Sequence, residues 1–96
     1  MVLLQSVLRR NKMNAVQELI KAMVTGIVDD ESSVSVAQVE SDKEGVLFEV
    51  KVGKDDVGKV IGKQGRVANA IRTVAKASGA KHGTRIMVNV FNKPAE

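Results

Sequence analysis

Cysteine is absent from the 96 residues, as are tryptophan and tyrosine, and proline occurs once. Without thiols there are no disulfide staples, thiolate zinc sites or cysteine nucleophiles, and a small unstapled domain suits a reducing, cytoplasmic setting. Phe48 and Phe91 are the only aromatic residues, so Val, Ile, Leu, Ala and Met must fill the interior. No run approaches the ~20 apolar residues that span a membrane. The opening Met1-Val2-Leu3-Leu4 has neither a preceding basic region nor a following small-residue cleavage site, so it does not read as a secretion signal. The single histidine, His82, has no Cys or second His nearby. It reads as a solvent-facing turn residue rather than a metal ligand or catalytic base. No cofactor is implied.

The formal net charge of +4 matters less than its placement. From Met13 to Gly53, three basic residues face eight acidic ones, a net of −5. From Val57 to Arg85 there are seven bases (Lys59, Lys63, Arg66, Arg72, Lys76, Lys81, Arg85) and no acid. A scatter of lysines is ordinarily a solvated face. Exclusion of acids over so long a stretch points instead to an anionic partner.

Residues 1–12 read as an N-terminal extension that need be neither native nor ordered, with Met13 a candidate alternative start. Asn14 is an expected helix N-cap, and Gln17 three positions on completes a capping box. Val16, Leu19, Ile20, Met23, Val24 and Ile27 then recur at helical spacing. The acidic turn Asp29-Asp30-Glu31-Ser32-Ser33 reads as a solvated break. A short strand over Val34–Val39 and a polar turn at Ser41–Gly45 precede the clearest strand, where Val46, Phe48, Val50 and Val52 alternate with Leu47, Glu49 and Lys51. Asp55 or Asp56 caps a short helix through Val57, Val60 and Ile61. A longer helix follows from about Arg66, and Ile86, Val88 and Val90 form the last strand. Residues 92–96 read as a tail. The order α-β-β-α-α-β predicts an α+β two-layer sandwich, a three-stranded mixed sheet with helices on one face, over residues 13–91.

Function concentrates in Val60-Ile61-Gly62-Lys63-Gln64-Gly65-Arg66. Two glycines bracketing two polar residues allow a tight turn that another backbone can approach. The helix starting after Gly65 presents unpaired N–H groups and the positive end of its dipole. Lys63 and Arg66 add charge beside it. A phosphodiester backbone suits such a site.

This segment resembles the KH domain, whose Ile-Gly-x-x-Gly loop clamps the backbone of about four nucleotides. The helix and strand before the βααβ core resemble the type II arrangement. Asp56-Val57-Gly58-Lys59-Val60-Ile61-Gly62-Lys63-Gln64-Gly65-Arg66, followed by Ala70-Ile71-Arg72-Thr73, is similar to the small bacterial stand-alone KH proteins of the KhpA family. The resemblance covers roughly Met13 to Phe91, while residues 1–12 depart from it. It implies a single-stranded RNA-binding protein, a post-transcriptional regulator or RNA chaperone with weak sequence preference. It further implies pairing as a homodimer or as a heterodimer with a Jag-type (KhpB) RNA-binding protein. The expected RNA-binding residues are Gly62, Lys63, Gln64, Gly65, Arg66 and Lys59. Val60 and Ile61 are candidates for an aliphatic floor, with plain core packing an equal reading of Val60. The strand at Val46–Val52 is the expected opposite wall. With no Tyr or Trp for stacking, base discrimination should be shallow. Arg72, Lys76 and Lys81 read individually as solvated charge.

Two other readings compete. Gly53-Lys54-Asp55-Asp56-Val57-Gly58-Lys59 matches GxxxxGK, but Val60 stands where Ser or Thr would hold magnesium, and two acids would sit inside the phosphate cradle. An enzyme of that kind is rejected, and no acid pair has an active-site setting. The alternative is a protein-interaction or dimerisation module, using the apolar N-terminal residues and the open side of the sheet, with RNA secondary.

Overall fold

The computed structural model of the chain describes residues 2–40 and 45–92, with side-chain surroundings for 13–39 and 45–92. Helix α1 (Val2–Thr25) leads through a 3-10 turn (Glu31–Ser33) to strands β1 (Ser35–Glu40) and β2 (Gly45–Val52). Helix α2 (Val57–Ile61), a second 3-10 turn (Lys63–Gly65), helix α3 (Arg66–Lys81) and strand β3 (Arg85–Asn92) complete the chain. The expected element order is present. Most of the polar turn anticipated at Ser41–Gly45, and the tail beyond Asn92, lie outside the described residues.

The start of α1 differs from expectation. No Gly or Pro occurs between Val2 and Thr25, so nothing breaks the helix where a cap was anticipated. Asn14 is an interior helix residue, and Gln17 closes no capping box. Its side-chain amide donates instead to the Val36 carbonyl of β1 at 2.6 Å.

The sheet order is β1-β2-β3, with β1 antiparallel and β3 parallel to β2. A parallel pair needs a long crossover, and α2 and α3 supply it. Alternation along β2 turns Val46, Phe48, Val50 and Val52 toward the helices, where all four are fully buried. They meet Met13, Val16, Ile20 and Val24 of α1, Ile71 and Ala75 of α3, and Ile86 and Val88 of β3. Each such side chain stabilises by ~1.5–3 kcal/mol relative to exposure. The opposite face is open: Val39, Leu47 and Met87 stand side by side across the three strands.

β2 is the central strand, and β3 is the edge strand on which α2 and α3 both pack. Both sheet edges carry a helix-derived donor. Gln17 takes the Val36 carbonyl, and Arg72 Nε donates to the Val88 carbonyl at 3.0 Å. Satisfying edge carbonyls from within the chain opposes addition of a foreign strand. Among the described residues no helix is long and apolar enough to cross a membrane.

Candidate nucleic-acid interface

The loop joining α2 to α3 is built around backbone conformations that few residues accept. Gly62 has φ 75° and ψ 176°, Gln64 φ 57°, and Gly65 φ 74°. A Cβ on Gly62 would lie 2.4 Å from Cγ2 of Val67 and 3.0 Å from its backbone nitrogen. Only glycine fits there, so α3 presses directly on the turn. Gln64 is the one non-glycine residue with positive φ among those described, at a cost of about 1–3 kcal/mol that the surrounding turn must hold. Backbone hydrogen bonds close it: the Gly62 N–H donates to the Gly58 carbonyl at 2.8 Å, and the Gly65 N–H to the Gly62 carbonyl at 3.2 Å.

What the loop presents is a positive surface. Lys63, Gln64 and Arg66 are exposed, and no side chain caps the start of α3. The Arg66 N–H donates back to the Lys63 carbonyl, and the amides that follow it stand at the positive end of the helix dipole without a side-chain cap. Ile61, 38% exposed, adds an apolar edge.

For three residues the structure decides between readings or departs from them. Val60 is fully buried in the core, because its position on a five-residue helix turns it toward the sheet. It supports the loop from behind and offers no surface to a base. Lys59 forms ion pairs with Asp29 and with Asp56, the latter at 3.6 Å. The hydrogen bond to the Asp29 carboxylate is the main cause that raises the Lys59 pKa. Arg72 is not simply solvated: besides the Val88 carbonyl it bonds the Asn69 side chain at 3.0 Å.

Sequence reasoning missed the anchor of α2. Asp56 is 3% exposed, yet its carboxylate does not cap its own helix. It accepts the backbone N–H groups of Asp29 and Asp30 at 3.2 and 3.1 Å. Those two bonds, the first foremost, hold its pKa below the ordinary 3.8, and Lys59 reinforces them. The α1–β1 connection, read as a solvated break, is thus tied to the helix that carries the loop. The adjacent acids before a short helix were the available signal. Their partners lie 26 and 27 positions away, beyond local pattern reading.

The chain is similar to several known proteins. The family model described as "KhpA/KhpB, KH domain" matches residues 17–90. The chain is 41% identical over 74 residues to the RNA-binding protein KhpA of Caldanaerobacter subterraneus, covering 77% of this chain and 97% of that protein. It is 40% identical over 75 residues to KhpA of Clostridium acetobutylicum, covering 78% and 99%. KhpA of Aquifex aeolicus is 37% identical over 79 residues, covering 82% and 99%. Among solved structures, Era of Aquifex aeolicus shares the fold with a TM-score of 0.61 at 18% identity, over 82% of this chain and 30% of that one.

Proposed function

The chain belongs to the KhpA/KhpB KH-domain family, and we propose that it grips single-stranded RNA by the backbone through Gly62-Lys63-Gln64-Gly65 and the first turn of α3. The observation that carries this reading is the loop itself. Its first glycine has no room for a side chain, its tip bears the exposed Lys63, and the helix start behind it is uncapped. A phosphodiester fits where backbone amides and a cation converge without bulk in the way. Arg66 extends the positive surface, and Ile61 gives an apolar edge for a base. The family is one of binding proteins rather than enzymes.

Residues 13–91 are taken as the RNA-binding unit, with 1–12 and 92–96 outside it. Weak sequence preference follows from the absence of Tyr and Trp, since shape and phosphate contacts then outweigh base stacking. A cytoplasmic post-transcriptional regulator or RNA chaperone is the role that fits. One small groove contacts few nucleotides, so useful affinity calls for pairing with a second copy or a KhpB-type protein. Titration of an unstructured RNA at several salt concentrations tests the mode of binding. With three or four phosphates neutralised, log affinity should fall against log salt with a slope of roughly −2 to −3. Salt-insensitive, strongly sequence-specific binding would contradict the reading.

A further inference from the structure

A second feature lies in α1, away from the loop. The family match begins at Gln17, and about four turns of the helix precede it. At 3.6 residues per turn, or about 100° each, the buried line of Met13, Val16, Ile20 and Val24 continues backwards through Arg9, Ser6 and Val2. Leu3, Leu4, Val7 and Leu8 fall on the other side of the helix. Carried forwards, their line runs through Asn11, Ala15, Glu18 and Ala22. The last three are exposed, which marks this as the side of α1 turned away from the sheet. The helix thus carries two apolar lines on opposite sides, one serving its own core and one facing away from it.

We infer that residues 2–12 dock on a lipid surface carrying negative charge, with Leu3, Leu4, Val7 and Leu8 on the side that meets it. Residues 1–17 hold three bases, Arg9, Arg10 and Lys12, and no acid. An aliphatic line on one side of a helix with bases around the rest is the pattern that seats a helix between headgroups and acyl chains. Each base held near an anionic leaflet adds attraction. Among the described residues no helix is long and apolar enough to cross a membrane, so the segment lies along the surface. Its second line is opposite the core line, and docking therefore leaves the domain on the aqueous side. Four aliphatic residues and three bases give reversible binding, comparable to a single acyl chain, rather than permanent anchoring. Size and charge argue against a second copy as occupant. Four aliphatic side chains fall short of the ~800 Å² per partner of a stable interface. With no acid before Glu18, two such segments would also offer each other's bases no answering charge.

The test uses the full chain and two kinds of vesicle, phosphatidylglycerol with phosphatidylcholine in equal parts and phosphatidylcholine alone, read by co-sedimentation. The parent should bind the mixed vesicles at least about tenfold more tightly than the neutral ones. Raising salt from about 0.1 to about 0.5 M should remove most of that binding. Leu4→Ser/Leu8→Ser should bind mixed vesicles about tenfold more weakly, with thermal melt and RNA affinity unchanged. The chain lacks Trp and Tyr, so Leu8→Trp gives a fluorescence readout without background, and its emission should shift to the blue on mixed vesicles alone. Absence of parent binding overturns the proposal. So does equal binding by parent and Leu4→Ser/Leu8→Ser, since the basic surface of the KH domain would then suffice. Association of the parent in lipid-free solution that Leu4→Ser/Leu8→Ser abolishes assigns the line to a second copy, which also overturns it. The inference does not rest on the loop reading, and RNA titration of the same proteins tests that reading separately.

Discussion

At the N-terminal end of α2, charges answer one another. Asp56 is buried against two backbone N–H groups, and Lys59 bridges its carboxylate and that of Asp29. At the C-terminal end, Lys63 and Arg66 are exposed and make no ion pair among the described residues. Both lysines belong to the same acid-free run, four positions apart, yet one is occupied by the fold and the other is free for a ligand. A basic stretch is therefore not a uniform surface. Acids far away in sequence reach into one end of it and leave the other open.

Four substitutions break or sharpen this contrast, in order of expected effect on stability. Gly62→Ala joins the two ends most harshly, since its Cβ meets Val67 and its φ stays positive. It should cost about 2–3 kcal/mol and weaken RNA binding with it, as read by chemical denaturation and by titration. A fold left unperturbed would mean that the turn relaxes easily.

Asp56→Asn tests the anchored end alone. The folded pKa of Asp56 is lowered, so its contribution is present above the unfolded value and is lost as pH falls through the folded one. The parent should lose stability below about pH 4. The variant should be less stable at neutral pH and lack that part of the acid limb in melts across pH 2 to 7. Matching acid limbs would remove Asp56 from the anchor.

Arg72→Ala frees the Val88 carbonyl at the β3 edge. A loss of about 1 kcal/mol is expected, together with a stronger tendency to associate through that edge, visible by sedimentation. Lys59→Ala should do least. It removes a charge already paired in the protein, so RNA affinity should change less than about twofold. A loss like that of a Lys63 variant would show that Lys59 leaves its acids to meet RNA.

How much of this was legible follows from the range of the forces involved. β2, β3 and α3 were readable because alternation or helical spacing in Val46–Val52, Ile86–Val90 and Val67–Ala75 reports burial directly. The loop was readable because its glycines and its position between two helices sit within seven residues. The start of α1 was misplaced because Asn14 and Gln17 imitate a cap, while nothing in residues 2–13 forbids continuing the helix. Val60, Lys59 and the free sheet edge depended on tertiary placement. Strand order decides which edge is free, and no local pattern records that β3 returns parallel to β2. The Asp56 anchor is of the same kind.

The claim that the open end of α2 carries the RNA is tested most directly by Lys63→Asp/Gln64→Asp, measured by RNA titration alongside a thermal melt. Both side chains are exposed and both glycines remain, so stability should change by no more than roughly 0.5 kcal/mol. Two negative charges now stand where the phosphodiester passes, and near-complete loss of RNA binding is expected with an unchanged circular dichroism spectrum. A double variant that folds normally and binds RNA like the parent would place the groove elsewhere and contradict the account.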